Sequence, residues 1–182
     1  MFGVMFHARA GQGAKTIAEL LVEAALDENK FVQAWPNYGA ERTGAPMMTF
    51  ARISNKPIVT HAAMRTADVI VVLDPTLLSV INIKTELKPE AKVIVNYDNI
   101  TELKKSLKLK NELFAINANE ISKRLLGRNF PNIPLLGALI KVSNIVKFKT
   151  VQSKLYNLFA PKHGETVAEK NVMALREGFE KV

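Results

Sequence analysis

The sequence predicts an α/β fold: a doubly wound, mostly parallel sheet with flanking helices and a helical C-terminal third. Three short segments, residues 2–6, 69–73 and 91–96, are rich in apolar residues, as is typical of parallel strands buried on both faces. Segments of helix length separate strands along the chain, and this alternation is characteristic of α/β domains. In an open sheet of this kind the ligand crevice lies beyond the carboxyl ends of the strands.

A pair of glycines marks the point where the first predicted strand ends and the first helix begins. From Ala14 onward apolar residues recur at the i, i+3, i+4, i+7 spacing of one helix face, and charged residues take the other side. Gly11 and Gly13 can adopt positive φ and let backbone N–H groups approach a ligand, at a helix end whose dipole favours an anion. The junction is therefore a candidate phosphate site.

Two features of this junction argue against a nicotinamide dinucleotide. The third position of the dinucleotide fingerprint is Thr16, where glycine or alanine is expected. The acidic residue that should follow the second strand and bind a ribose is absent from residues 31–36. A simpler alternative is that Gly11 and Gly13 only make a tight turn between strand and helix.

The composition is that of an ordinary globular chain. Its 182 residues suit a single domain over residues 1–182, and 48 % of them are hydrophobic. The absence of cysteine excludes disulfides, thiolate nucleophiles and cysteine-ligated iron–sulfur or zinc sites from this chain. No apolar run reaches about 18 residues and no signal peptide precedes the first strand, so we expect a cytoplasmic protein that does not engage a membrane.

The formal net charge of +8 is concentrated in the second half of the chain. Residues 1–100 contain ten basic and ten acidic side chains, whereas residues 101–182 contain fifteen and seven. The densest basic run covers residues 104–110. Because aromatic residues and a helix-turn-helix pattern are missing around it, this run does not indicate nucleic acid. We expect the excess charge to meet an acidic partner subunit or a polyanionic cofactor.

The region after the first helix predicts a loop with functional side chains. Residues 31–35 predict a short second strand that ends at Pro36. The loop that follows carries Arg42 between glycines, and a guanidinium in that setting is suited to phosphate or carboxylate; a plain surface turn is the alternative. Residues 47–53 then predict a strand, with a hairpin-like excursion through residues 58–59.

The remaining motifs predict a helix start and a close helix contact, and they offer few candidates for catalytic residues. Asp74 is a predicted N-cap with Pro75 in the first helical position, and Gly178, late in the last helix, indicates close packing. We interpret His7, within the first strand, as a partnered buried histidine. No Ser-His-Asp order and no paired histidine–carboxylate metal motif occurs, so we assign no catalytic residue and no metal ligand to this chain. The chain has the features of a binding component of a larger assembly.

Five segments, taken in order, resemble the gamma subunit of 2-oxoacid:ferredoxin oxidoreductases. Each segment is only moderately specific, but together they span nearly the whole chain. They are FHARAGQG at residues 6–13, YGAERTGA at 38–45, ADV leading to DP at 67–75, NIPLLGA at 132–138, and NVMALREG at 171–178.

The resemblance implies an enzyme complex of alpha, beta, gamma and delta subunits. Such a complex decarboxylates a 2-oxoacid, with pyruvate the first choice, on thiamine diphosphate and Mg²⁺, passes electrons through iron–sulfur clusters to ferredoxin, and forms acyl-coenzyme A. Those cofactors would lie in partner subunits, and the gamma subunit would contribute to coenzyme A binding and to assembly. Because coenzyme A is a polyanion at its nucleotide end, the residues suited to it are those of the glycine loop at the helix N-terminus and the nearby cation: Gly11, Gln12, Gly13, Lys15, Thr16 and Arg42.

Two other functions stay open at the level of sequence. The chain could be a purely structural subunit of that complex, with a vestigial glycine loop. It could instead be a stand-alone nucleotide-binding oxidoreductase, which the missing ribose acid disfavours.

Overall fold

The computed structural model describes residues 1–37 and 44–182, and within them a mixed sheet is flanked by helices. The strands are β1 (Phe2–Arg9), β2 (Phe31–Asn37), β3 (Pro46–Ser54), β4 (Ala67–Val72), β5 (Leu87–Asn96) and β6 (Glu112–Ile116). The α-helices are α1 (Ala14–Asp27), α2 (Ile100–Leu107), α3 (Ala118–Leu126), α4 (Asn132–Ser143), α5 (Phe148–His163) and α6 (Glu165–Glu180). Short 3₁₀ helices cover Pro75–Ser79 and Ile83–Glu86.

The sheet has the strand order β2-β3-β1-β4-β5-β6 and is mostly parallel, as predicted. The pairs β1–β4, β4–β5 and β5–β6 are parallel, whereas β3 is antiparallel to both of its neighbours. Among the described strands β3 alone is therefore reversed. The helical C-terminal third is also confirmed, because α3 to α6 follow one another after β6.

Two sequence expectations about the antiparallel part of the sheet are wrong. Strand β2 does not end at Pro36 but continues to Asn37, with Pro36 paired opposite Thr49. An edge strand such as β2 tolerates a proline whose nitrogen faces away from its neighbour. The hairpin that includes β3 is formed with β2, and Val59 of the expected excursion lies outside any strand and is exposed.

The sheet separates two hydrophobic cores. On the face that we call the helical face, β1, β3 and β4 pack against α1, α3, α4, α5 and α6. On the opposite face, called the second face, the sheet residues include Met5, Phe50 and Ile70, and they pack with α2, the Ile83–Glu86 helix and Met64. The alternation of side chains along each strand divides them between these cores.

The helices of the helical face meet at two glycines. A Cβ atom on Gly178 would lie 2.0 Å from the Pro134 carbonyl oxygen, and one on Gly137 would lie 2.0 Å from the Leu175 carbonyl oxygen. Helices α4 and α6 can therefore approach this closely only because neither position carries a side chain. The close packing predicted for Gly178 is confirmed.

Asp74 caps the 3₁₀ helix that begins at Pro75, as predicted. Its carboxylate accepts a hydrogen bond from the Thr76 backbone N–H at 3.0 Å, and Pro75 occupies the first helical position. In the described part of the chain, no helix combines the length and apolar character needed to cross a bilayer.

Candidate functional site

The glycine loop between β1 and α1 has the predicted backbone conformation, with φ of 97° at Gly11 and 79° at Gly13. The two glycines serve different needs. A Cβ on Gly11 would meet nothing within 4 Å, whereas one on Gly13 would lie 2.3 Å from the side-chain nitrogen of Asn132. Gly13 is thus favoured by its left-handed φ and because a Cβ there would force the Asn132 side chain to move, while Gly11 is favoured by its φ alone.

The Gln12 side chain holds the loop together. Its Oε1 accepts a hydrogen bond from the Arg9 backbone N–H at 2.8 Å, and its Nε2 donates to Asp74 Oδ2 at 3.0 Å. Arg9 Nε donates to the same carboxylate oxygen at 3.1 Å. These contacts tie the ends of β1 and β4 together and leave Gln12 little capacity for a ligand.

Asp74 is ionised within this network. Burial by itself opposes ionisation of Asp74, but hydrogen bonds from Thr76 and Gln12 and the charge of Arg9 together hold its pKa below the usual value. Asp74 therefore places a carboxylate next to the loop, with its charge balanced by Arg9, and an anion would meet less repulsion on the other side of the loop.

That other side is the N-terminus of α1. Among the residues that the structure describes, no side chain caps this helix, and its first turn carries no acidic residue. Its leading backbone N–H groups are therefore available to an anion. Lys15 is exposed there, with its Nζ 3.6 Å from Glu19, and Thr16 is half-buried. An exposed pair of this kind is weak and leaves the lysine free to reorient.

A cavity of about 280 Å³ opens beside this helix end. Gly13 and Thr16 line it together with Asn132 at the start of α4. Two cations also line it, Arg128 from the segment before α4 and Lys170 from α6. Asn132 is 6 % exposed and its side-chain oxygen has no hydrogen-bond partner among the described residues. The cavity combines positive charge, backbone donors and an unused amide oxygen.

The structure brings only part of the predicted site into this cavity. Gly13 and Thr16 line it; Gly11, Gln12 and Lys15 lie in the adjoining loop and first turn. Arg42 falls in residues 38–43, outside the described residues, so its place in the site stays a prediction.

Sequence reasoning missed Arg128, Lys170 and Asn132. The contact between Asn132 and Gly13 joins residues 119 positions apart, and no local pattern encodes such a contact. One signal was present: the segment at residues 132–138 is among those that carry the family resemblance, which marks the start of α4 as more than packing.

One histidine of the described chain, His7, has a carboxylate partner. His7 is buried, and its Nε2 lies 2.7 Å from Glu86 Oε2, so it is the partnered histidine that the sequence predicts. Within residues 1–37 and 44–182, no group of three or more histidine, aspartate or glutamate residues is placed to hold a metal ion.

Comparisons with known proteins identify the family. A family model described as pyruvate ferredoxin/flavodoxin oxidoreductase matches residues 3–181. The chain is 39 % identical over 182 residues to pyruvate synthase subunit PorC of Thermotoga maritima, covering all of this chain and 94 % of that protein. It is 42 % identical over 183 residues to the common gamma subunit of the pyruvate/ketoisovalerate oxidoreductases of Pyrococcus furiosus, covering all of this chain and 97 % of that protein.

Solved structures of related proteins share the fold of this chain. The crystal structure of the pyruvate oxidoreductase subunit PORC from Thermotoga maritima has a TM-score of 0.86 and 37 % identity, covering 99 % of this chain and 96 % of that chain. A 2-oxoglutarate:ferredoxin oxidoreductase from Magnetococcus marinus, solved with 2-oxoglutarate, coenzyme A and succinyl-CoA, has a TM-score of 0.83. That match has 20 % identity and covers 97 % of this chain but 30 % of the longer one, so it shows the shared fold alone. The chain thus belongs to the pyruvate ferredoxin/flavodoxin oxidoreductase family, among its gamma subunits.

Proposed function

We propose that this chain, as one gamma-type domain over residues 1–182, helps a cytoplasmic 2-oxoacid:ferredoxin oxidoreductase to bind coenzyme A and to assemble. The complex converts a 2-oxoacid, pyruvate first, and coenzyme A to acyl-coenzyme A and CO₂, and two electrons pass to ferredoxin. Alpha, beta and delta subunits supply thiamine diphosphate, Mg²⁺ and the iron–sulfur clusters. The lack of cysteine in this chain fits that division, because cluster ligands are cysteine thiolates.

The observation that carries the coenzyme A proposal is the uncapped N-terminus of α1 beside two cations. The nucleotide end of coenzyme A carries a diphosphate and a further phosphate, so it requires backbone donors and concentrated positive charge. Gly13 and Thr16 supply the helix end, and Arg128 and Lys170 line the same cavity. Lys15 lies on the first turn, and we assign Arg42 to the same ligand from the following loop.

Steady-state kinetics of the reconstituted complex with coenzyme A as the varied substrate test this proposal. Arg128→Ala and Arg42→Ala should each raise the Michaelis constant for coenzyme A about ten- to a hundredfold, the equivalent of one charge-assisted contact of roughly 1.5–3 kcal/mol. Lys56→Ala, which removes an exposed cation from the turn after β3, is the matched control. The Michaelis constant for the oxoacid should not change.

A scaffolding role is the second candidate, and specific contacts favour it. A Cβ on Gly13 would collide with the Asn132 side chain, and Gln12 and Arg9 are occupied by Asp74, so the loop has a structural purpose without a ligand. If both arginine variants assemble and their Michaelis constants for coenzyme A equal that of the wild type, scaffolding is the function. Identification of the chains that co-purify with this one tests the assembly itself.

The isolated chain should fold and have no oxidoreductase activity. It contains no cysteine for a cluster, and the described residues contain no metal-binding group. Turnover of any 2-oxoacid by this chain in the absence of other subunits would contradict the proposal that the other subunits supply the cofactors.

A further inference from the structure

Arg52 on β3 is a buried cation without a carboxylate beside it among the described residues. The residue is 4 % exposed, and it forms no ion pair with any residue in ranges 1–37 and 44–182. One terminal nitrogen donates to Gln33 Oε1 at 3.1 Å, and the other donates to the Ala62 carbonyl oxygen. Its Nε has no hydrogen-bond partner within that part of the chain. A buried charge is costly unless an opposite charge compensates it.

The surroundings of Arg52 form an aromatic-walled pocket. The guanidinium carbon lies 4.6 Å from the centroid of Trp35, and Trp35 stacks on Phe50 with a centroid separation of 5.2 Å. The strand register places Gln33 opposite Arg52 and Trp35 opposite Phe50, so all four share one face of the β2–β3 pair. Gln33, Trp35, Arg52 and the exposed His61 line a pocket of about 380 Å³.

We propose that this pocket binds a carboxylate group. Of the five N–H donors of Arg52, two are used by described residues, and the planar fork of a guanidinium matches the two oxygens of a carboxylate. One fixed positive charge, with a histidine beside it, suits a ligand of a single negative charge better than a phosphate. The pocket is on the second face, opposite the cavity of Thr16, and the proposal does not depend on coenzyme A binding.

The competing explanation is that Arg52 only anchors the extended segment over the second face. Gln33 Nε2 donates to the Thr60 carbonyl oxygen at 3.1 Å, and Arg52 donates to that of Ala62, so the pair does hold this segment. That role requires hydrogen-bond donors but no positive charge, because both acceptors are neutral carbonyls. A response that is selective for carboxylate separates the two explanations.

Trp35 provides the measurement, since it is the single tryptophan of the chain. The full-length chain is titrated at constant ionic strength with sodium acetate, and with sodium chloride as the reference, while tryptophan fluorescence is followed. Acetate should give a saturable change with half-saturation on the order of 10 mM, the range expected of one or two charge-assisted hydrogen bonds. Arg52→Gln should abolish it, and Arg65→Gln, which removes an exposed arginine of the same segment, should not.

An equal response to chloride and acetate in the wild-type chain overturns the proposal, and this result does not depend on any variant folding. A saturable acetate response that persists unchanged in a folded Arg52→Gln chain also overturns it. The same titration in the assembled complex then identifies the source of the carboxylate. Loss of the acetate response on assembly means that an acidic side chain of another subunit fills the pocket, and an unchanged response means that the pocket takes a free carboxylate.

Discussion

On the helical face, β1, β3 and β4 are covered by five of the described α-helices, whereas on the second face the cover consists of α2, short 3₁₀ helices and an extended segment over residues 57–66. The first cover is made of regular elements that satisfy their own backbone groups and pack at glycine contacts. The second depends on side chains such as Arg52 and Gln33 to hold irregular backbone. We therefore expect the helical face to supply most of the stability, whereas on the second face Arg52 Nε has no hydrogen-bond partner among the described residues.

Amide hydrogen exchange gives the largest expected contrast between the two faces. Amides of buried helix α4 should exchange only through global unfolding, while those of residues 57–66 should exchange through local openings of nearly zero free energy. In that segment the Ala62 N–H donates to a side chain, Thr60 Oγ1, and not to regular backbone structure. The opening free energies of α4 and of residues 57–66 should therefore differ by nearly the whole free energy of unfolding, roughly 5–15 kcal/mol. Equal protection of both regions would contradict the comparison.

Gly178→Ala should weaken the helical face more than any single change on the second face. The new Cβ would lie 2.0 Å from the Pro134 carbonyl oxygen, so α4 and α6 must separate. We expect a loss of about 3 kcal/mol in the free energy of unfolding, measured by urea denaturation. Glu169→Ala, at an exposed position on the same helix, should change that free energy by less than about 0.5 kcal/mol. If Gly178→Ala left the free energy of unfolding unchanged, the contact between α4 and α6 would not be tight.

Asp74→Asn tests the junction between the two faces, because Asp74 contacts the glycine loop on one side and caps a 3₁₀ helix of the second face on the other. This substitution should lower the free energy of unfolding by about 1–3 kcal/mol at neutral pH. Since folding lowers the pKa of Asp74, its contribution is fully present above the unfolded pKa of about 3.9 and is lost as pH falls through the folded value.

The difference in stability between wild type and Asp74→Asn should therefore shrink as the pH is lowered below about 4. Urea denaturation at neutral and at acidic pH measures it. A difference that stays constant over that range would mean that the charge of Asp74 contributes nothing and that the loss comes from replacing an accepting oxygen by an amide NH2 group.

Charge reversal on α2 should have the smallest effect on the chain itself. Lys104, Lys105 and Lys108 are exposed on or just after this helix of the second face. Their replacement by glutamate should change the unfolding free energy of the isolated chain by no more than about 1 kcal/mol in total. If the basic surface contacts partner subunits, the triple variant should assemble less well at moderate salt. Unchanged co-elution on size exclusion at low salt would mean that these lysines are only solvated.

The parts of the fold that the sequence predicts are those encoded locally. Continuous apolar runs identified β1, β4 and β5, and the residues around Gly11, Gly13 and Asp74 identified the turns and caps. The position of β3 between β1 and β2 was not predictable, because strand order depends on pairing between residues distant in the chain. Pro36 was misleading, since its effect depends on whether the strand is at an edge.

The candidate site likewise has a part that is encoded locally and a part that depends on tertiary packing. Thr16 and Gly13 lie where the strand-to-helix junction predicts them, whereas Arg128 and Lys170 reach the cavity through the packing of α3, α4 and α6. Arg52 carries no sequence signal of its burial, because an arginine within an alternating strand resembles any solvated position until the cover over the second face is known.

Pro36, within the edge strand β2, also bears on self-association of this chain through the edge of its sheet. Because β2 is an edge of the sheet, its outer side would offer backbone groups with which a strand from another molecule could pair. Pro36 has no N–H donor to offer such a strand, so a pairing strand would meet a gap in its ladder one residue before the end of β2. We therefore expect Pro36 to disfavour edge-to-edge pairing between copies of this chain.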